Sequence, residues 1–306
     1  MDSTMKREVP LLLVLAFAAT AQVRFDVPSL GYVHDQEAKS LRLVTGVPGA
    51  AALEKSMDAG SAIERAWISP RGFALTQGKL ESAVRYFDWT RGVNLAVMDS
   101  AETVAISANG RYFAVLGGGS VEIWDGEGPN RKARFEAAAA RGIAVSDDGQ
   151  VGLVVTSTGL SMWQQDRLQQ IWSGESIRGA DFLPASRDFV AYDGGRNKVL
   201  TMRSGSMAEI DAKSTGALAF ALSGDGRSVT LGGDRTIEIL DTVSGMSSML
   251  ATESAVETLS RAGANGEVMQ VRFRDNTRTA LLEWAGMAAP QIEFLIGAFS
   301  TNGGAQ

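Results

Sequence analysis

The chain contains no cysteine and only one histidine, His34, among 306 residues. The lack of cysteine excludes disulfides, thiolate metal sites, cysteine nucleophiles and a lipid anchor on cysteine. A zinc site would have to use mainly carboxylates, whereas zinc sites in proteins are built mainly from cysteine and histidine. An excess of positive charge is missing too, since the formal net charge is −6 and the isoelectric point is near 5.0. We therefore predict no metal, no cofactor, and no surface for nucleic acid or an anionic membrane.

The apolar run near the N-terminus has the pattern of a secretory signal. Lys6 and Arg7 precede the run, and Ala19 and Ala21 place small residues at the two positions that a signal peptidase reads. The run is too short to span a bilayer comfortably. An uncleaved anchor or a buried strand is the alternative. We predict cleavage near Ala21, an extracytoplasmic location without a membrane span, and three segments: a signal over residues 1–21, one folded domain over 22–300, and a flexible tail over 301–306.

One stretch, Thr103–Asp125, shows the pattern that the rest of the chain repeats. Short apolar strands alternate there with turn residues, and Asn109-Gly110 is a pair that favours a tight hairpin turn. The glycine run Gly117–Gly119 is followed by no Gly-Lys-Ser/Thr, so we interpret it as a second hairpin turn and not as a phosphate loop. The predicted strands are Thr103–Ser107, Tyr112–Leu116, Ser120–Asp125 and a fourth around Ala133–Phe135.

The turn glycines recur along the chain at intervals of roughly 38 to 40 residues, a period typical of propeller blades. Four strands in each period and no long amphipathic helix predict an all-β fold, a single β-propeller of four-stranded antiparallel blades. Six full blades fit between Ile63 and Ile296. We favour a seventh made from Leu30–Val44 together with Gln22–Val27 and Gly297–Thr301 from the two termini. A six-bladed ring with an added hairpin is the alternative.

The N-terminal hairpin has no preceding pair of strands. It pairs Leu30–Asp35 with Ser40–Val44, and Tyr32–Asp35 resembles the third strand of the repeat, an apolar run that ends on an acidic residue. We therefore expect this hairpin to be the outer half of a blade. The following segment, Gly46–Gly60, breaks the rhythm of the strands, and we expect one helical turn near Ala51–Met57.

The repeat resembles the WD40-like and YVTN-type bacterial β-propellers over about residues 30 to 297. The resemblance rests on turns such as Ser107–Gly110 and on the segment Ile239–Gly245, a strand followed by a turn. No blade has the glycine-histidine pair of eukaryotic WD40 repeats, and only Trp124-Asp125 matches their tryptophan-aspartate dipeptide, which favours the looser bacterial versions. Such folds host scaffolds, lactonases, quinone-dependent dehydrogenases and assembly subunits, so the resemblance selects none of these functions.

Residues with potential chemistry are few. Adjacent residues of a strand point to opposite faces, so Asp35 is poorly placed to orient His34, and we interpret His34 as a strand position rather than a catalytic base. Asp147-Asp148-Gly149 lacks the spaced carboxylates of a calcium loop and fits turn chemistry better. The same holds for Asp225-Gly226.

Two sets of side chains could form binding surfaces. Arginines near the starts of first strands could bind an anion at the mouth of the channel: Arg65, Arg178 and Arg261. Tryptophans are spread over several blades, and we expect most of them to pack between blades rather than to line a rim: Trp67, Trp89, Trp124, Trp163, Trp172 and Trp284.

Three functions remain. The favoured hypothesis is a secreted, non-catalytic and monomeric propeller that binds a protein or glycan partner through one rim of its ring. The second is a propeller hydrolase resembling the lactonases, which would need buried carboxylates and an arginine at the channel mouth. The third is a subunit of a bacterial envelope assembly. The sequence predicts no catalytic, cofactor or metal residues.

Overall fold

A computed structural model describes residues 28–47, 49–262, 268–283 and 290–295. The predicted signal over residues 1–21, the tail over 301–306, and the terminal strands over 22–27 and 297–301 lie outside the described residues. Trp284 lies outside them as well.

The chain folds as a seven-bladed β-propeller of antiparallel sheets. Blades are numbered here in chain order, and six of them have four strands, the first of which lies innermost. The described residues of blade 1 form three strands. Blades 1 to 3 consist of β1 (Ser29–Asp35), β2 (Ser40–Val47) and β3 (Ala50–Met57); β4 (Ile63–Ser69), β5 (Phe73–Gly78), β6 (Val84–Asp88) and β7 (Val93–Met98); and β8 (Thr103–Ile106), β9 (Tyr112–Gly117), β10 (Ser120–Asp125) and β11 (Asn130–Glu136).

The remaining strands complete the ring in the same order. Blades 4 and 5 consist of β12 (Ala140–Val145), β13 (Val151–Thr156), β14 (Gly159–Gln164) and β15 (Arg167–Ser173), and of β16 (Ile177–Phe182), β17 (Phe189–Asp193), β18 (Lys198–Arg203) and β19 (Ser206–Asp211). Blades 6 and 7 consist of β20 (Ala219–Leu222), β21 (Ser228–Gly232), β22 (Thr236–Asp241) and β23 (Ser247–Ala251), and of β24 (Val256–Ala262), β25 (Val268–Phe273), β26 (Asn276–Glu283) and β27 (Gln291–Phe294).

Blade 3 confirms the predicted unit. Its three inner strands lie where the alternation of apolar and turn residues placed them, and Asn109-Gly110 and Gly117–Gly119 form the turns between them. The second strand β9 is buried on both faces, because neighbouring blades cover it. Gly110 has a φ of +73°, a backbone conformation that a residue with a Cβ rarely adopts.

The strand order gives the ring two different rims. The turn rim carries the hairpins that join first to second strands and third to fourth strands, such as 107–111 and 146–150. The connection rim carries the segments between successive blades, such as 99–102, and the turns between second and third strands, such as 79–83. Every inner strand of blades 2 to 7 therefore starts at the connection rim and ends at the turn rim.

Blade 1 differs from the sequence expectation in two ways. Its β1–β2 turn lies at the connection rim, because the backbone carbonyl of Lys39 in that turn accepts a hydrogen bond of 2.8 Å from Ile63 N, where blade 2 starts. By position and direction β1 and β2 are the second and third strands of the blade, so the prediction that they form its outer half is wrong. The outermost strand is β3.

The predicted helical turn near Ala51–Met57 is also wrong, since these residues lie in β3. This strand pairs with β2 and places Leu53 opposite Val44. Leu53 is buried with Val33 and Val44 against blade 7, while its neighbours along the strand are exposed. Burial of one face of a paired strand outweighs the weak helical preference of an alanine-rich segment.

Blade 1 closes the ring between blades 7 and 2. One of its faces packs on Leu281 and Leu295 of blade 7, and the other packs Leu41 on Ile63 of blade 2. The inner edge of β1 is met by a side chain, since the amide of Gln270 accepts from His34 N at 3.2 Å and donates to the His34 carbonyl at 2.6 Å. Gln270 thus supplies the two hydrogen bonds that a neighbouring strand would supply.

Candidate functional site

The inner strands of blades 2 to 7 surround a central cavity of about 200 Å³. Small side chains line much of it, among them Ala66, Ala105 and Ala144, because the strands crowd together near the axis of the ring. The walls are mainly apolar, and the charged groups lie towards the two ends.

An ion pair crosses the cavity near the turn rim. Nη2 of Arg261, near the end of β24, lies 2.5 Å from Oδ2 of Asp181 on β16, and Nη1 lies 3.5 Å from the Ala108 carbonyl beyond β8. Burial raises the pKa of Asp181, and the Arg261 charge opposes that shift. The pair thus connects three inner strands and narrows this end of the channel.

The opposite end, at the connection rim, is shaped by a repeated β-bulge. In blades 2, 4, 5 and 7 one extra residue interrupts the pairing of the first strand with the second. In blades 3 and 6 the residue before the strand donates its N–H at 2.8 Å to the carbonyl opposite the first strand residue. A bulge redirects its side chain out of the sheet. The six bulge residues, in ring order, are Glu64, Glu102, Arg141, Arg178, Leu218 and Glu257.

Two of the three acidic bulge residues have ion-pair partners. Lys39 lies 3.0 Å from Glu64, and Arg272 lies 2.7 Å from Glu257. Glu102 is contacted through its backbone carbonyl, which accepts a hydrogen bond of 3.1 Å from Arg65.

The basic bulge residues on the other side of the mouth differ from the acidic ones in their contacts. Arg141 and Arg178 are exposed, and neither has an ion-pair partner within the part of the chain that the structure describes. Leu218, the bulge residue of the next blade, is 45% exposed. Positive charge and apolar surface are therefore left available on one side of the mouth.

The three arginines singled out in the sequence do not form one cluster. Arg65 and Arg178 lie at the connection rim, whereas Arg261 lies near the turn rim. The guanidinium of Arg65 packs 4.8 Å from the centre of the Trp67 ring, and desolvation together with the charge of Arg272 lowers its pKa. The predicted anion site therefore divides into two regions at opposite ends of the channel.

His34 is a buried structural residue. Its Nε2 lies 3.0 Å from the Ile63 carbonyl, and burial lowers its pKa. Asp35 faces elsewhere, as expected, and lies 3.0 Å from Nη1 of Arg42. The interpretation of His34 as a strand position agrees with this geometry.

The described tryptophans pack within the propeller. Trp163 of blade 4 stacks on Phe135 of blade 3 with ring centres 4.7 Å apart, and Trp89 of blade 2 contacts Tyr32 of blade 1 at 4.5 Å. Trp124 stacks on Phe113 at 6.2 Å. Packing inside and between blades is therefore their common role.

The acidic turns connect the blades to one another along the turn rim. Asp148 accepts hydrogen bonds from Ser146 and Gln150 and pairs with Arg187 of the next blade at 2.8 Å. Asp147 accepts from Asn109 N of blade 3 and from Ala185 N of blade 5, both at 2.7 Å. Turn chemistry explains the Asp148 carboxylate, whereas the Asp147 carboxylate bridges two other blades, a role that the sequence did not predict.

Sequence reasoning also missed the bulge residues as a set. For five of the six, the signal was a charged residue at the start of a largely apolar first strand, as at Arg141 and Arg178; Leu218 had no such signal. Among the described residues, no group of three or more His, Asp or Glu side chains is arranged to hold a metal ion. None of these residues belongs to a helix with the length and apolar character that crossing a bilayer requires.

Comparisons with known proteins give a likeness in fold. No protein-family model and no curated protein matches the chain. A chain of Kuenenia stuttgartiensis hydrazine synthase is 13% identical with a TM-score of 0.59, covering 87% of this chain and 99% of that one. The RRP9 WD40 repeats are 12% identical with a TM-score of 0.60, covering 79% and 83%.

A chain from the mitotic checkpoint complex is 16% identical with a TM-score of 0.57, covering 83% of this chain and 87% of that one. At such low identity these likenesses show a β-propeller fold shared with WD40 proteins and leave the activity open.

Proposed function

We propose that the chain is an extracytoplasmic scaffold that binds a partner protein through the connection rim. The observation that carries the proposal is the group of exposed side chains on neighbouring blades at the connection-rim mouth. At the mouth of the connection rim, Arg141 and Arg178 have no ion partner among the described residues, and Leu218 is exposed beside them; Leu80, on the same rim, is almost fully exposed. Exposed apolar and unpaired charged groups are what a protein interface needs to gain free energy on binding.

Several charged groups of the turn rim hold neighbouring blades together, although Val243 and Met246 are exposed there. Arg71 of blade 2 lies 2.8 Å from Glu127 of blade 3, and Asp147 bridges blades 3 and 5. A partner at that rim would have to compete with hydrogen bonds that the ring already makes. The likeness in fold to the RRP9 WD40 repeats and to a chain of the mitotic checkpoint complex, which is an assembly, supports a binding role by analogy. The extracytoplasmic location is supported by the basic and apolar pattern of residues 6–21.

A photo-cross-linking experiment tests which rim binds. Leu80 on the connection rim is 96% exposed and Val243 on the turn rim is 71% exposed, so a benzophenone amino acid at either position should leave the fold intact. We expect a defined protein cross-link in the native host from position 80 and none from position 243. A cross-link only from position 243 would show that the partner binds the turn rim and not the connection rim. Binding to a glycan array without a protein cross-link would identify a glycan partner.

A propeller hydrolase is the second candidate. One observation favours it: Asp181, a buried carboxylate with a raised pKa, lies beside Arg261 at the central cavity. A panel of lactones and esters, assayed with the wild type and with Asp181→Asn, tests this candidate. Turnover that the variant loses would support the hydrolase over the scaffold.

A further inference from the structure

The basic side of the connection-rim mouth is a contiguous surface on three successive blades. Arg141, Arg178 and Leu218 are the bulge residues of blades 4, 5 and 6, whose inner strands are neighbours in the ring. All three side chains are exposed. We refer to these three residues as the basic patch.

The backbone beneath the patch is held in place by packing. Gly179, which follows Arg178, lies so close to Phe220 of blade 6 that a Cβ would stand 2.6 Å from the ring. This contact fixes the bulge of blade 5 against the blade that carries Leu218. The patch therefore presents its side chains from rigid strands and not from a loop, which lowers the entropy lost on binding.

We infer that the basic patch binds an extended segment of the partner protein that carries carboxylates next to a large apolar side chain. This inference rests on the proposed scaffold function and specifies the chemistry of its partner. Guanidinium groups bind carboxylates through paired, charge-assisted hydrogen bonds, and Leu218 offers apolar contact beside them. Nucleic acid fits less well, because the chain has a formal net charge of −6 and the patch offers only two guanidinium groups to a phosphate backbone.

Selection from a phage-displayed library of random 12-residue peptides tests the chemistry directly. With the wild-type protein as bait, we expect enrichment of peptides that combine Asp or Glu with Leu, Ile or Phe. Binding of the best synthetic peptide should weaken at least tenfold with the Arg141→Glu/Arg178→Glu variant and should fall as salt is raised. Leu218→Ser should weaken it several-fold.

Arg167→Glu is the matched control, because Arg167 is exposed on the turn rim; it should leave peptide affinity unchanged. The Lys variants of Arg141 and Arg178 keep the charge and should retain part of the affinity. Urea midpoints equal to that of the wild type show that each variant is folded. Selected peptides without acidic enrichment, or equal binding to the charge-reversed variant, would overturn the inference.

The two proposals can fail separately. A cross-link from position 80 that persists in the Arg141→Glu/Arg178→Glu variant would support the scaffold function and contradict binding by the basic patch. Loss of that cross-link in the same background would support both. The absence of a cross-link from position 80 in the wild type would contradict partner binding at the connection rim.

Discussion

The carboxylate of Asp88 makes a contribution to stability that can be calculated from its surroundings. Asp88 is 3% exposed and accepts hydrogen bonds from Thr90 N at 2.8 Å, Thr90 Oγ1 at 2.7 Å, Arg91 N at 2.9 Å and Arg91 Nε at 2.6 Å. Burial alone would raise its pKa, but these bonds lower it from 3.8 to about 2. A carboxyl with a depressed pKa in the fold stabilises above its unfolded pKa, and that stabilisation is lost as pH falls through the folded value.

The perturbation is Asp88→Asn, whose amide resembles the protonated acid. A shift of nearly two units corresponds to about 2.4 kcal/mol of unfolding free energy at pH 7, and linkage reduces the difference to about 1.3 kcal/mol at pH 3. Urea denaturation of both proteins at pH 7, 5 and 3 measures the difference in their unfolding free energies. We expect this difference to be the same at pH 7 and pH 5.

Asp99→Asn is the control, because Asp99 is exposed; it should cost less than about 0.5 kcal/mol. A wild-type-to-variant difference below about 1 kcal/mol at pH 7, or one that stays the same at pH 3, would refute the reasoning about Asp88.

Three further predictions concern the ring. Arg42→Met should cost about 3 kcal/mol in urea denaturation, because it leaves the buried Asp35 carboxylate without its ion partner. Burial and a neighbouring carboxylate raise the pKa of Glu283. The protonated acid is therefore favoured in the fold, and the protein loses stability as pH rises through this folded pKa. Glu283→Gln should therefore raise the melting temperature at pH 8 and change it little at pH 4. Gly149→Ala should cost about 2 kcal/mol or more, because a Cβ there would lie 2.5 Å from an aromatic ring of the neighbouring blade; Gly216→Ala, with a similar φ of +69° and open space, should cost about 1 kcal/mol.

The repeat was predictable because each blade encodes it locally. The Asn109-Gly110 turn fixes one hairpin, and β9 is apolar along its whole length because it is covered on both sides. These signals act over a few residues, so the sequence alone places the strands and their order. The blade count followed from the spacing of the turns.

Blade 1 was harder because its identity depends on distant contacts. The acidic end of Tyr32–Asp35 resembles a third strand, yet Asp193 ends a second strand, β17, in the same way. The pairing of Ala51–Met57 with β2, and the burial of Leu53 against blade 7, arise only when the ring closes. No local pattern could reveal either contact.

The candidate site depends on the ring in the same way. Arg65, Arg178 and Arg261 look alike in sequence, but the first two lie early in their inner strands and Arg261 lies near the end of β24, which places it at the other rim. The bulges that expose Arg141 and Arg178 depend on how two strands pair, and the identity of a single residue does not predict that pairing. Charge type was readable from the sequence, but its position around the mouth was not.

The way blade 1 meets blade 7 has a mechanical consequence. Within the described residues no backbone strand pairing joins these two blades, and the junction relies on apolar packing and on side chains: Gln270 bonds His34, Glu283 accepts from Gly49 N at 3.0 Å, and Glu293 accepts from Ala51 N at 3.2 Å. A pulling force applied between blade 1 and blade 7 would load this junction first. No strand ladder joins any two neighbouring blades in the described part of the chain, so this junction, like the others, depends on packing and on side-chain bonds that can break one at a time. One of its four hydrogen bonds ends on Glu283, whose pKa is raised by burial, so the force needed to open the junction should depend on pH.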